Sequence, residues 1–521
     1  MKKALTLLVT LALSCNSSQK TLKEATSEAL SEEASEITFA ESITENELKE
    51  HLFTYASDEF EGRETGEPGQ KMAIAYIKAE YEKLKIPAAK ANGDYFQEVP
   101  LEISKLPIGK LSVEGKDFPI GEHVLTFSAA HTSSNEIIYV GYGIEEPNYS
   151  NYNDIDVEGK IVLLKAGEPK NADGTYKISG TTEASLWSNM SESLTKRIQI
   201  AVDKGATGIL YYDTDNFNRF KRRFESMKSN NNGRMELVDN SAVEFYSLFI
   251  DQVLAKDILS SIDTDEASKV LTKDLQLSFE SSNDQITSEN VAAFIKGTEK
   301  PDEYLVISSH LDHIGISPNG EINNGADDDG SGTVALLEIA EAFKLAADAG
   351  KGPKRSILFL HVTGEEKGLL GSQYYTDMEP IIPLANTVAN LNIDMIGRID
   401  PTREGDRNYI YLIGSDKLSS ELHNLSEDVN KKFANIELDY TYNDENDPNR
   451  FYYRSDHYNF AKNNIPIIFY FNGTHDDYHR PSDTPDKINY DLLQNRARLI
   501  FYTAWEIANR EQKIIVDKPT K

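Results

Sequence analysis

Four short apolar runs recur through the C-terminal half of the chain, separated by polar segments. They are Tyr304-Leu-Val-Ile-Ser-Ser309, Ser356-Ile-Leu-Phe-Leu-His-Val362, Val388-Ala-Asn-Leu-Asn-Ile393 and Ile467-Ile-Phe-Tyr-Phe471. Runs of this length, bounded by turn residues, predict buried strands. Between the first two, Gly325-Ala-Asp-Asp-Asp-Gly-Ser-Gly332 opens a predicted helix over Thr333–Ala347. Strands alternating with helices predict an open α/β sheet. Towards the N-terminus, Glu45 to Leu84 predicts two helices, the second placing Ile74, Ile77, Tyr81 and Leu84 on one face. The loop between them, Ser57-Asp-Glu-Phe-Glu-Gly-Arg-Glu-Thr-Gly-Glu-Pro-Gly-Gln70, has the glycines and proline of a turn region. It reads either as a polar surface loop or as a wall of a cleft.

The pattern changes between residues 118 and 280. Short β runs dominate there: Glu136-Ile-Ile-Tyr-Val-Gly-Tyr-Gly143, Lys160-Ile-Val-Leu-Leu-Lys165 and Gly208-Ile-Leu-Tyr-Tyr212. They bracket one predicted helix, Leu194–Lys204, ended by Gly205. The basic run Arg219-Phe-Lys-Arg-Arg223 reads as a solvated helix face. This stretch is expected to be an inserted β-rich module. The flanking segments 41–117 and 281–521 would then form one domain.

Each run in the C-terminal half ends at groups that can hold a metal. His310, Asp312 and His313 follow the first; Glu365 and Glu366 follow the second; Asp394 follows the third; Tyr478 and His479 lie in the loop after the fourth. In open α/β sheets, ligands bind beyond the carboxyl ends of the strands. Histidine nitrogens and carboxylate oxygens are the donors zinc takes. Asp327-Asp-Asp329 lacks the alternating acids and closing Glu of an EF-hand calcium loop. His361 sits inside an apolar strand and reads as a core histidine.

In order, a His-x-Asp, a Gly-Ala-x-Asp-x-x-Ser-Gly, a Glu-Glu pair, an Asp-Met-Ile-Gly and a Tyr-His make a series that resembles the M28 family of zinc aminopeptidases and carboxypeptidases. The resemblance covers residues 45–105 and 286–510. It implies a three-layer α/β/α exopeptidase fold with a mixed central sheet. It also implies two zinc ions that activate a water for attack on a scissile carbonyl. Carried over by motif, the metal ligands are His310, Asp328, Glu366, Asp394 and His479, with Asp328 as the bridge. Glu365 is the general base, Asp312 orients the metal-bound His310, and Tyr478 hydrogen-bonds the oxyanion. The resemblance further implies a non-proline cis peptide at Asp328–Asp329. Asp456 and His457, in Arg454-Ser-Asp-His457, resemble a family segment near the substrate pocket, and Asp483 would fix the loop bearing His479. Gly141-Tyr-Gly143, Val157–Leu164 and Lys204–Gly208 resemble the protease-associated domain. An aminopeptidase acting on peptides leads. A carboxypeptidase or dipeptidase, a one-zinc glutaminyl cyclase and a non-enzymatic binding protein stand as alternatives.

With 54 basic and 85 acidic residues, the net charge of −31 argues against nucleic acid as a partner. Lys2 and Lys3 precede an apolar run from Ala4 to Leu13, too short to span a bilayer and shaped like a signal peptide over residues 1–14. Cys15, the only cysteine, excludes an intrachain disulfide and resembles the acylated cysteine of bacterial lipoproteins. Residues 15–40 read as a lipid-anchored, disordered tether facing the periplasm or the cell exterior.

Overall fold

The computed structural model describes residues 35–230, 233–238 and 245–518. The expected signal peptide and the Cys15 anchor lie outside them. The chain divides into two compact units, Met1–Pro100 with Thr287–Lys521, and Leu101–Ile286.

In the first unit the strands, numbered in chain order, are β1 (Phe96–Ser104), β2 (Asp284–Ile295), β3 (Lys300–His310), β4 (Arg355–Val362), β5 (Thr387–Ile393), β6 (Tyr409–Ile413), β7 (Glu437–Asp439) and β8 (Ile467–Phe471). They lie in the order β1-β2-β4-β3-β5-β8-β6-β7. The central four, β4-β3-β5-β8, are parallel to one another. Antiparallel pairs flank them: β2 with β4 on one side, β6 with β8 on the other. All four central strands are the predicted apolar runs, and they are buried on both faces, as parallel strands are.

The two-residue side-chain period divides the runs between two cores. Leu305, Ile307, Ile357 and Phe359 belong to a core shared with helices Gly332–Asp348 and Tyr490–Asn509. Val306, Leu358 and Leu360 face the opposite core, with Tyr375, Phe460 and Ala461. Helices therefore cover both faces of a mixed sheet, which is the expected three-layer architecture.

The N-terminal helices are Glu45–Tyr55, capped by the Thr44 side chain, and Pro68–Leu84, with proline in its first turn. Residues 36–40, expected to belong to a disordered tether, are ordered: Glu36–Ala40 is a helical turn with Phe39 and Ala40 buried. The reason is Phe39, whose ring centroid lies 5.8 Å from that of Trp505. One aromatic anchor offsets a polar composition.

The second unit is a sheet of eight strands in which Ala130–Tyr139, Ile161–Lys165, Gly208–Tyr212 and Tyr246–Ile250 run side by side, with a core of its own. The predicted helix spans Met190–Asp203, and the basic run lies on Phe217–Asn230. The borders expected at 118 and 280 fall inside this unit. Ile108–Val113 pairs with Lys269–Glu280, and β1 and β2 run unbroken across the true borders. An apolar pattern that continues along a strand gives no sign of where one unit ends.

Candidate metal centre

Because β3, β4, β5 and β8 are parallel, their carboxyl ends share one edge, and there the predicted ligands meet. His310, the last residue of β3, places Nε2 3.1 Å from Asp328 Oδ1 and 3.6 Å from Asp394 Oδ1. His479 places Nε2 3.0 Å from Asp328 Oδ2 and 3.2 Å from Glu366 Oε2. Asp328 thus stands between two histidines, one on each carboxylate oxygen, with Asp394 beyond one and Glu366 beyond the other. The Asp328–Asp329 peptide is cis.

These groups are held from behind. The Ser455 hydroxyl donates to Asp394 Oδ2 at 2.6 Å. Asp483 Oδ2 accepts the main-chain N–H groups of Asp327 and Asp328, at 2.9 and 3.2 Å. Asp483 therefore fixes the Asp328 loop directly. Asp477 grips Arg398, Ser482 and Lys487, which pins the loop bearing Tyr478 and His479.

Asp312 acts differently from its expected role. The His310 ring nitrogen Nδ1 meets the main-chain oxygen of Asp312 at 3.0 Å, whereas the Asp312 carboxylate is 4.0 Å away. That carboxylate accepts from the Thr65 hydroxyl at 2.7 Å and the Glu365 N–H at 3.2 Å. With β3 ending at His310, the chain turns, and the carbonyl rather than the side chain comes to lie against the ring.

Among the described residues Glu365 forms no ion pair with His310 or His479, unlike Asp328, Asp394 and Glu366. Burial pushes its carboxyl well above the usual range, and Glu366 and Asp394 add to this against the opposing pull of His310. Burial also works to raise Glu366, but His313 and His479 hold it at about 2. His479, despite partial burial, is raised to about 10 by Asp328 and Glu366. The adjacent glutamates are thus driven in opposite directions. The Tyr478 ring stacks on His479, with centroids 3.9 Å apart.

Several site residues have no sequence motif to mark them. His313 is fully buried, with Nδ1 2.8 Å from Glu366 Oε1 and 3.8 Å from Asp328 Oδ2. Gly325 makes room for it: a Cβ there would lie 2.5 Å from His313 Cδ2, and its φ of +54° favours glycine independently. Arg63, also fully buried, donates to the main-chain oxygens of Tyr55, Asn324 and Gly325 at 3.2, 2.7 and 2.8 Å. The loop 57–70 is therefore the support of the metal-binding loop. The signal available in the sequence was the spacing of Gly62, Gly66 and Pro68 around one arginine.

The donor set fits a metal. His310 Nε2, both ring nitrogens of His313, Asp328 Oδ2 and Glu366 Oε1 are buried without an aligned hydrogen-bond partner. Buried polar atoms normally have partners; a convergent group lacking them matches the lone-pair demand of a cation. Asp329 is also close enough to join His310 and Asp394 in such a group. Its oxygens are already used: Oδ1 accepts from the N–H groups of Gly332 and Met395, and Oδ2 from that of His310. Asp328, with an orphaned oxygen, is the better donor.

The family model for Peptidase family M28 matches residues 290–504. Residues 290–504 are a peptidase family M28 domain. The chain is 26% identical over 234 residues to the aminopeptidase YwaD of Bacillus subtilis, covering 44% of this chain and 46% of that protein. It is 34% identical over 106 residues to a probable glutamate carboxypeptidase of Arabidopsis thaliana, covering 20% of this chain and 14% of the other. The chain thus spans less than half the length of these curated relatives. A crystal structure of a zinc aminopeptidase from Bacillus subtilis overlays with a TM-score of 0.45 at 19% identity, covering 90% of this chain and 97% of that one. The M28 segment takes in β3, β4, β5 and β8 and all eight predicted site residues.

Proposed function

We propose that the protein is a zinc-dependent exopeptidase of the aminopeptidase type, releasing N-terminal residues from peptides. The observation that carries this reading is Asp328, placed between His310 and His479 with Asp394 and Glu366 outermost. That is a donor set for two ions sharing one carboxylate. Zinc bound there supplies a Lewis acid that acidifies water and polarises a carbonyl.

The chain's own residues do the rest. Glu365, free of both histidines, takes the proton of the attacking water on its carboxylate and passes it to the departing amine nitrogen. Asp312 holds the Glu365 main chain. Tyr478 O–H donates to the carbonyl oxygen as negative charge develops on it. The relatives named aminopeptidase favour the N-terminal direction of attack.

Elemental analysis of purified, zinc-reconstituted protein is expected to give about two equivalents per chain. Free-N-terminus peptides should be shortened from that end, and N-blocked peptides should not. A chelator should abolish the release and added zinc restore it. Less than one divalent ion per chain, or equal cleavage of N-blocked peptides, would overturn the reading.

A further inference from the structure

A pocket opens beside Asp328, Glu365 and Asp394. Its walls include Met395, Phe451, Phe469 and Phe471, and one cation, Arg454, completes it. Phe451, Phe469 and Phe471 are buried and form one aromatic cluster. The Arg454 guanidinium lies over the Phe451 ring, 4.8 Å from its centroid. Its side chain is exposed and has no carboxylate or hydrogen-bond partner among the described residues. Arg398, by contrast, is committed to Asp477. Arg454 is the arginine that lines this pocket, and it keeps its guanidinium free of any carboxylate among the described residues.

On the reading that two divalent ions would be held by Asp328, Glu366 and Asp394 with the histidines, the Arg454 guanidinium at the pocket has no protein acid to engage among the described residues and is available to a ligand. Stacking on Phe451 holds the planar guanidinium in place. A fixed guanidinium recognises carboxylates through two parallel hydrogen bonds. The aromatic walls suit the methylene groups that carry such a carboxylate.

We propose that Arg454 is a specificity-determining residue that binds a carboxylate of the substrate. Two sources share this chemistry: the side chain of an N-terminal Glu or Asp, and the C-terminus of a short peptide. No bond changes at Arg454; it selects substrate by charge.

The test uses zinc-loaded full-length protein and two pairs of substrates. One pair is glutamyl and leucyl derivatives of the same uncharged amide leaving group. The other is Leu-Gly and its C-terminal amide. The protein is expected to favour the carboxylate-bearing member of at least one pair. Arg454→Met, which keeps much of the aliphatic volume, should lower that kcat/KM ratio by about 10- to 100-fold, the scale of a lost charge-assisted hydrogen bond. The change should fall mainly on KM, and Arg454→Lys should restore part of it. A shift in the first pair assigns the side chain, and a shift in the second assigns the C-terminus. No preference in either pair, or a ratio unchanged in Arg454→Met, overturns the inference and leaves the peptidase reading standing. Failure of the zinc-loaded protein to release any residue overturns both.

Discussion

Asp328 and Asp329 carry the same side chain and do opposite work. Asp329 spends both oxygens on three main-chain N–H groups, tying the ends of β3 and β5 to the start of helix Gly332–Asp348. Among the described residues Asp328 gives its oxygens to no main-chain N–H and faces two histidines instead, one on each oxygen. The same division separates Glu365 from Glu366: the second pairs with His313 and His479, while the first stays clear. Successive residues leaving a strand point in different directions, so one can serve as ligand and its neighbour as base. Glu365→Gln is therefore expected to keep zinc content and fold while lowering kcat by at least ~10²-fold, the scale of lost acid–base catalysis. Near-normal turnover at confirmed zinc content would remove Glu365 from the mechanism. The ligands were legible in the sequence because each follows a buried run and carries chemistry unusual for that place. His313 was not. It follows the end of β3, where the two-residue period that would have assigned its direction no longer holds.

At the scale of elements, the site depends on a segment far away in sequence. Arg63 lies between the first two helices, yet its guanidinium satisfies carbonyls of Asn324 and Gly325, just ahead of the metal-binding Asp328. Thr65 from the same loop holds Asp312. Residues 62–65 thus brace both the metal-binding loop and the loop of the base. Removing the guanidinium takes the side-chain donor from the Tyr55 and Asn324 carbonyls and leaves Gly325 only the Gly330 N–H, at a cost of about 2–5 kcal/mol. Arg63→Ala is expected to lower Tm by roughly 5 °C and to weaken zinc binding, although Arg63 touches no ligand side chain. Unchanged Tm and zinc affinity would show that the loop is held by other means. The strands and helices were readable because apolar periodicity records local structure. The role of Arg63 was not, since what it bonds is decided by tertiary contact; the borders of the second unit were hidden in the same way by strands that cross them.

For the molecule as a whole, the interior holds ionisable groups whose burial links stability to pH. His361, inside β4, contacts Ser309 Oγ at 3.1 Å and Tyr81 Oη at 2.8 Å. His457 stacks on Phe469, with centroids 4.5 Å apart, and contacts the Tyr452 main-chain oxygen. Burial lowers both to about 3. In the unfolded chain each takes a proton below pH ~6.5. The folded protein cannot follow until the pH nears 3, so each histidine's contribution is complete above pH ~6.5 and is lost as the pH falls through that window. The loss steepens to about 1.4 kcal/mol per pH unit per histidine well below pH ~6.5. Glu338 works in the opposite sense: burial raises it to about 7, so the folded state retains a proton the unfolded chain has released, and its contribution improves as the pH falls. Net acid stability mixes these signs, and only a difference between variants isolates one group. His361→Gln keeps a hydrogen-bonding side chain and removes the titration. Unfolding free energies from urea denaturation at pH 7, 6 and 5 should fall with acidity less steeply in this variant than in the parent. The expected gap in slope averages roughly 1 kcal/mol per pH unit over this range and steepens towards pH 5, whatever the absolute stability of the variant at pH 7. Parallel slopes would mean that His361 accepts its proton in the folded protein as readily as in the unfolded chain, and that the strand around it admits water.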